Sequence, residues 1–359
     1  MRAVVTRDKR LTCEEIEDPV PIQGQTLVRT LCCGICGSDL HALHFMDNMV
    51  EGMRRAGGGD GIDPAKDMVF GHEFCAEVLD HGPGTDGRFK PGTRVVSVPM
   101  TFGPAGIELV GYSNRYPGGF SERMVLAEAM LLEVPNGLPA EHAALTEPMA
   151  VGAHAVAEAA VDKDSVCLVL GCGPVGLAVI AALKARGHGP VIAADFSPRR
   201  RAAAEAMGAD IVVDPAKESP HGKWADLGVP ATLTAHRMAM MAGQTYGRPI
   251  VFECVGAPGV LQSVIEGAPP KAQIVVAGVC MTPDRIEPSL AINKQLDLRF
   301  VFGYSPEEFA ATLHDIAEGR IDVAPIVTGK VGLAGVADAF KALGDPENHV
   351  KILVEPGRA

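Results

Sequence analysis

The pattern of apolar and polar positions changes once along this chain of 359 residues, near residue 140. Before that point, short β-rich runs are broken by Gly and Pro, as in TLVRTLCCGIC, KPGTRVVSVP and GGFSERMVLAEAMLLEVP. After it, apolar strand-like runs alternate with helical runs, as in SVCLVL, PVGLAVIAALKARG and PVIAAD. The first pattern predicts a mostly-β domain. The second predicts a doubly wound parallel sheet with helices on both faces, so we expect an α/β protein.

The end of the chain predicts a return to the first domain. A helical segment, SPEEFAATLHDIAEG, is followed by the strand-like HVKILVEP. The length exceeds what one hydrophobic core usually serves, so two domains are expected. We predict a first domain at 1–152, completed by 304–359, and a second domain at 153–303.

Composition narrows the class of protein. A formal net charge of −12 argues against a nucleic-acid partner, whose phosphates require a basic face. Nine scattered cysteines do not form a disulfide scaffold, and the N-terminal stretch lacks the apolar centre of a signal peptide, so a cytoplasmic location is expected. The uncharged run at 165–183 suggests a membrane span by length alone, but three glycines and a proline within six positions argue against a membrane partner.

A glycine-rich turn is the first chemical signal. The pattern Gly171-x-Gly173-Pro174-Val175-Gly176 directly follows an apolar strand and opens a helix. This context predicts dinucleotide binding: the first glycine allows the tight turn, the second admits the pyrophosphate, and the third lets the helix pack on the sheet. The helix N-terminus then offers unpaired N–H groups to the phosphates.

An acidic residue indicates which dinucleotide binds. Asp195 ends the next strand, where a carboxylate accepts hydrogen bonds from the adenosine ribose and repels a 2′-phosphate. We therefore expect NAD rather than NADP. The run Arg199, Arg200 and Arg201 favours the opposite choice if it binds a 2′-phosphate, and otherwise forms a solvated first helical turn.

Residues of the ligand type indicate a metal site before residue 150. Cys36 of GICGSDLH is followed by His72 and Glu73 of GHEF and by Glu147 of TEPMAVGAHA. A thiolate, an imidazole and a carboxylate suit a catalytic zinc, which keeps one position open. Cys33 and Cys36 also form a C-x-x-C pair, but no second pair exists to close a zinc ribbon. A redox dithiol would need the pair at a helix N-terminus after a strand.

The motifs GICGSDLH, GHEF, PGTRV, EPMAVGAHA and GCGPVGLA occur in this order along nearly the whole chain. In this the chain resembles the zinc-dependent medium-chain dehydrogenases, which include alcohol, sorbitol, threonine and butanediol dehydrogenases. The resemblance implies a GroES-like domain that carries zinc, a Rossmann domain that binds NAD, and oxidation of an alcohol to a ketone or aldehyde. It favours a secondary alcohol, diol or polyol substrate and a homodimer or homotetramer.

The resemblance also assigns roles to the metal-site residues. It implies that Cys36 and His72 bind zinc directly and that Glu73 is the acid beside the site. Glu147 stands where sorbitol- and threonine-type members carry an acid. Whether Glu73 or Glu147 binds the metal stays open.

Further roles follow from the same resemblance. Ser38 matches the hydroxyl that touches the substrate oxygen, and Asp39 matches the carboxylate that orients the zinc histidine. His41 matches the end of the proton path. Arg200 matches the basic residue that contacts the adenosine ribose.

The sequence departs from the family in two places. The segment TFGPAGIELVGYSNRYPGG lacks the cysteines with which many members bind a structural zinc, so one catalytic zinc and no structural zinc are expected. The spacing from Cys36 to His72 is also long, with extra residues at 43–68. In them Phe45, Met46 and Met49 predict a short amphipathic helix, which is either a surface insertion or a cap over the substrate.

Two other functions remain as alternatives. One is a zinc-free quinone or enone reductase of the same superfamily. The other is a dinucleotide-binding protein without catalysis. Metal analysis and an alcohol panel distinguish them from an alcohol dehydrogenase.

Overall fold

The computed structural model describes residues 1–58, 62–104 and 106–358. The chain forms two compact units. The first comprises Met1–Glu147, Phe309–Gly319 and Val327–Ala359, and the second comprises Pro148–Glu308 and Arg320–Ile326.

Strands and helices are numbered separately in chain order. The strands are β1 (Arg2–Arg7), β2 (Arg10–Glu15), β3 (Gln25–Gly34), β4 (Met68–Val69), β5 (Glu73–His81), β6 (Arg94–Ser97), β7 (Met100–Gly103), β8 (Gly106–Leu109), β9 (Arg123–Ala127), β10 (Leu131–Glu133), β11 (Val166–Leu170), β12 (Val191–Ala194), β13 (Ile211–Val213), β14 (Pro249–Glu253), β15 (Gln273–Val276), β16 (Asp297–Phe300), β17 (Val327–Val331) and β18 (Lys351–Val354). The α-helices are α1 (Gly37–Arg55), α2 (Ala140–Ala143), α3 (Thr146–Glu158), α4 (Pro174–Ala185), α5 (Pro198–Ala206), α6 (Lys223–Asp226), α7 (Leu233–Met241), α8 (Val260–Gly267), α9 (Pro288–Lys294), α10 (Pro306–Ala317) and α11 (Val336–Leu343).

The first unit is built on a mostly antiparallel sheet. Its strands run in the order β10-β6-β5-β3-β18-β17, and β9 also pairs with β3. Near the chain end, β18 pairs antiparallel with β3 through Leu353 opposite Gly34, and β17 runs parallel to β18. The last strand therefore lies next to the strand that leads to Cys36.

Helix α1 packs on the core of the first unit. Its backbone kinks at Phe45, whose side chain is exposed. Met46, Met49 and Met53 are partly buried and pack against buried side chains of the core. The amphipathic helix predicted in the insertion is thus the second half of α1. Its methionines are partly buried against the core, and the cap over the substrate stays a prediction.

The second unit is a parallel sheet in the order β13-β12-β11-β14-β15-β16. Its inner strands are continuous apolar runs because helices cover both faces of such a sheet. Leu168, Val251 and Ile274 are fully buried in its core beside Trp224. The predicted α/β class, with a mostly-β part and a doubly wound parallel sheet, is confirmed.

The uncharged run at 165–183 forms β11 and α4. In the parts of the chain that the structure describes, no helix has both the length and the apolar character needed to span a membrane.

Candidate metal centre and dinucleotide site

Cys36 lies at the point where β3 gives way to α1. It is the N-cap residue of α1, and its backbone N–H donates to Asp39 Oδ2 at 3.0 Å. This contact places the Asp39 carboxylate in the first helical turn, beside the half-buried thiol. Cys33 is fully buried inside β3, and burial raises the pKa of its thiol well above the ordinary value, with the charges of Asp39 and Glu73 acting in the same direction. A buried strand thiol of this kind does not suit a redox dithiol.

Three ligand-type side chains converge beside this turn. His72 immediately precedes β5, and Glu73 is the first residue of β5, where the register places it opposite Gly34 of β3. Single ligand atoms from Cys36, His72 and Glu73 all lie within 4.8 Å of one another. We call these three residues the donor cluster. Within the described residues, it contains the thiolate, imidazole and carboxylate types that zinc prefers.

Gly34 is required for the carboxylate of the donor cluster to fit. A Cβ added at Gly34 would lie 2.0 Å from Glu73 Oε2, closer than any van der Waals contact. The glycine in CCGIC therefore leaves the space that the Glu73 carboxylate occupies.

Asp39 faces the histidine of the donor cluster. Its Oδ1 lies 3.4 Å from His72 Nδ1, and the Asp39 side chain is fully buried. Burial by itself lowers the pKa of His72, but the negative charges of Asp39 and Cys36 raise it well above its ordinary value. A carboxylate at Nδ1 leaves Nε2 available as a metal ligand. The negative charges of Asp39 and Cys36 thus favour a positive charge beside His72. A zinc ion would supply such a charge.

Lys351 is a site residue that the sequence analysis missed. Its Nζ is fully buried and donates to Glu73 Oε1 at 2.6 Å, to Glu73 Oε2 at 2.7 Å and to Ile35 O at 3.0 Å. Burial lowers the pKa of Lys351, but the charges of Glu73 and Cys36 outweigh burial, so its pKa is raised. The sequence signal for this role is a lysine that begins the apolar run KILV. All four residues of this strand are buried in the structure.

Glu147 approaches the same region from the first turn of α3. It is mostly buried, and its charge also raises the pKa of Lys351. Within the described residues, the donor cluster does not include Glu147.

The other predicted catalytic residues lie on the first turns of α1. Ser38 is half-buried and Asp39 is buried, whereas His41 is exposed to solvent. Ser38 is therefore nearer the interior than His41, and this order suits a path along which a proton leaves the site for solvent.

The segment from Thr101 to Gly119 contains the hairpin β7–β8. Gln25 donates from Nε2 to Thr101 Oγ1 at 3.0 Å and to Phe102 O at 2.9 Å. Glu108, the strong ligand type in this segment, accepts from Ser113 Oγ at 2.6 Å. Hydrogen bonds therefore hold the hairpin in place.

The glycine-rich turn of the second unit has the predicted geometry. Gly171 has a φ of +85°, a conformation that favours glycine. Gly173 is the N-cap of α4, with Pro174 at the first helical position and Val175 after it. A Cβ on Gly176 would strike the carbonyl oxygen of Gly171 at 1.8 Å, so the helix could not pack as it does.

Asp195 and Arg200 stand beside this turn. Asp195 accepts from the N–H of Cys172 through Oδ2 and from the N–H of Ser197 through Oδ1, both at 2.8 Å. The Arg200 Nη1 lies 3.9 Å from Asp195 Oδ2 and 3.9 Å from the position that a Cβ of Gly173 would occupy. Its Nε is buried and has no hydrogen-bond partner in the described part of the chain. A cation beside this turn suits the adenosine end of a dinucleotide, where ribose and phosphate oxygens accept hydrogen bonds.

The fold and the two sites define the class of protein: a dehydrogenase with a metal centre in one unit and a dinucleotide turn in the other. Comparisons with known proteins agree. Residues 22–136 match the family model "Alcohol dehydrogenase GroES-like domain", and residues 174–318 match "Zinc-binding dehydrogenase".

Individual relatives cover almost the whole chain. (R,R)-butanediol dehydrogenase of Bacillus subtilis (strain 168) is 32% identical over 358 residues, which is 97% of each chain. Sorbitol dehydrogenase of the same strain is 27% identical and covers 99% of this chain and 97% of its own. The crystal structure of 2R,3R-butanediol dehydrogenase from Bacillus subtilis has a TM-score of 0.79 at 30% identity, with 99% of both chains covered.

The chain belongs to the zinc-type medium-chain dehydrogenase family. It is an alcohol dehydrogenase that acts on small-molecule substrates. Its cofactors are zinc and a nicotinamide dinucleotide. The family, the GroES-like and Rossmann fold class and the enzyme activity expected from the sequence are confirmed.

Proposed function

We propose that the protein is an NAD-dependent dehydrogenase that oxidises a secondary hydroxyl of a diol or polyol at a single zinc centre. The donor cluster carries this proposal, because the Cys36 thiol and the His72 imidazole lie within 4.8 Å of each other and of a carboxylate, and a thiolate with an imidazole suits a catalytic zinc. The names of the butanediol and sorbitol dehydrogenase relatives support the substrate class.

The chain's own residues have distinct roles at this centre. Cys36 and His72 bind the metal, and the Asp39 carboxylate lies 3.4 Å from the Nδ1 of His72, which leaves Nε2 for the metal. Both oxygens of Glu73 accept from Lys351, so we assign to Glu147 the carboxylate that binds the zinc or its water.

When bound, zinc supplies Lewis-acid polarisation of the substrate oxygen. Ser38 would take up the proton of the substrate hydroxyl as its own hydroxyl proton passes on towards His41, and the exposed His41 would release a proton to solvent.

NAD is preferred over NADP. Asp195 presents a carboxylate at the end of β12, where it repels a 2′-phosphate. Arg201, which is one candidate to bind that phosphate, contacts Asp214 Oδ2 at 3.1 Å and donates to the carbonyl oxygens of Asp195 and Phe196. Arg200 contacts the adenosine side of the cofactor.

Four further assignments are part of the proposal. One zinc binds per chain. In the sequence of the hairpin segment, Glu108 is the one side chain of a type that binds zinc strongly, and a single carboxylate does not hold a structural ion. The functional domains are 1–152 with 304–359, and 153–303. The protein is a cytoplasmic homodimer or homotetramer. The edge strand β16 supports self-association, since Phe300 and the nearby Phe302 are exposed.

A substrate panel tests the proposal. Zinc-replete protein is mixed with NAD and with 2,3-butanediol, sorbitol, simple secondary alcohols or primary alcohols, and NADH formation is followed. We expect turnover with the diols or polyols, its loss after chelation, and its recovery when zinc is added back. No turnover with any alcohol, or full turnover after chelation, would contradict it.

A further inference from the structure

A tyrosine of the hairpin segment reaches the metal centre. Tyr112 follows β8, and its backbone N–H donates to Leu109 O at 3.1 Å. Its ring packs on Phe70, with ring centres 5.9 Å apart, and on His72, with ring centres 5.3 Å apart. The segment that lacks metal-binding cysteines thus places an aromatic ring against a ligand of the donor cluster.

The hydroxyl of Tyr112 touches two of the residues that act around the metal. It lies 2.9 Å from Ser38 Oγ and 3.1 Å from Asp39 Oδ1. An ionised carboxylate has no proton to give, so Tyr112 must donate to Asp39. The phenol has only this one proton, and the Ser38 hydroxyl is therefore left to donate to the phenol oxygen.

Each of these hydrogen bonds fixes one side chain. The bond to Ser38 turns the serine lone pairs away from Tyr112, so that they can accept a substrate hydroxyl. The bond to Asp39 gives the second oxygen of this buried carboxylate a donor, since the other oxygen accepts from the Cys36 N–H. A buried carboxylate needs such donors.

We propose that Tyr112 is a positioning residue of the metal centre, whose hydroxyl orients Ser38 for the substrate and Asp39 for His72. This inference rests on the proposed function for its effect on Ser38. Its effect on Asp39 concerns metal binding and does not depend on the substrate.

The variant Tyr112→Phe keeps the ring and removes the hydroxyl. We expect kcat for alcohol oxidation to fall about tenfold and the zinc affinity, measured by competition with a chelator, to fall about tenfold, which is the low end for residues that orient metal ligands. The KM for NAD should not change, because the dinucleotide turn lies in the second unit. Tyr116→Phe is the matched control: Tyr116 is a buried tyrosine of the same segment, and its variant should keep both values.

A double-mutant cycle separates positioning from a general structural effect. In a Ser38→Ala background, adding Tyr112→Phe should change kcat less than twofold, because the serine it orients is gone. The loss of zinc affinity should persist in that background. Equal losses of kcat in both backgrounds, or an unchanged zinc affinity, would overturn the inference. If the wild type oxidised no alcohol, the proposed function would fail, while the zinc-affinity comparison would still decide whether Tyr112 positions Asp39.

Discussion

Replacing Lys351 by methionine should destabilise the first unit strongly. Lys351 and Glu73 form an ion pair in which both side chains are 0% exposed. The variant Lys351→Met removes the ammonium group and keeps a chain of similar length. The carboxylate of Glu73 would then be buried without its main partner.

The expected magnitude follows from the burial of the pair. Removing one member of a buried ion pair typically costs about 3–5 kcal/mol, because the remaining charge is uncompensated. For a domain of about 150–250 residues, each kcal/mol lowers the melting temperature by about 2–4 °C. We therefore expect a decrease of roughly 6–20 °C.

The assay is thermal unfolding of zinc-free protein in the presence of a chelator, so that no metal compensates Glu73. Lys341→Met is the matched control, because Lys341 and its partner Asp338 are largely exposed. Exposed pairs contribute about 0–1 kcal/mol, so the control should melt within a few degrees of the wild type. Adding Glu73→Met to Lys351→Met should recover much of the loss. Equal melting temperatures for the Lys351 and Lys341 variants would refute the reasoning.

Three further predictions concern other parts of the chain. Asp195→Ala should narrow the ratio of kcat/KM for NAD over NADP, and a wild type that prefers NADP would contradict the role of Asp195. The half-buried His221 has a pKa lowered to about 4, mainly by burial and then by the charge of Lys294. The folded state therefore binds fewer protons than the unfolded state between pH 6.5 and 4, and stability should decrease by up to about 3 kcal/mol as pH falls through that range. His221→Gln should flatten the plot of unfolding free energy against pH in this range. An unchanged slope would show that other groups cause the pH dependence. Met49→Ala should lower the unfolding free energy by about 1–2 kcal/mol, because the side chain is only partly buried, and it should leave zinc content unchanged; a changed substrate ranking at wild-type stability would support the cap hypothesis.

Local patterns sufficed for much of the fold and for part of the site. The glycines at 171, 173 and 176 act within one turn, so their roles follow from a few adjacent residues and the strand before them. Cys36 and His72 could be paired because both stand in short motifs of fixed order.

Other features depend on contacts that sequence order does not reveal. Lys351 reaches Glu73 only because β18 pairs with β3, far along the chain. Tyr112 reaches Ser38 because the turn after β8 lies against the start of α1, and no spacing in the sequence predicts that contact. The methionines of α1 have a helical spacing, but the spacing does not say whether they face the core or a substrate.

The most direct test of a single zinc centre is elemental analysis of purified, metal-replete wild-type protein and of Cys36→Ser. We predict one zinc per chain in the wild type. Nearly all of it should be lost in the variant, which should still bind NAD because Gly171, Gly173 and Asp195 lie in the second unit. Two zinc ions per wild-type chain, or zinc retained in the variant, would contradict the account.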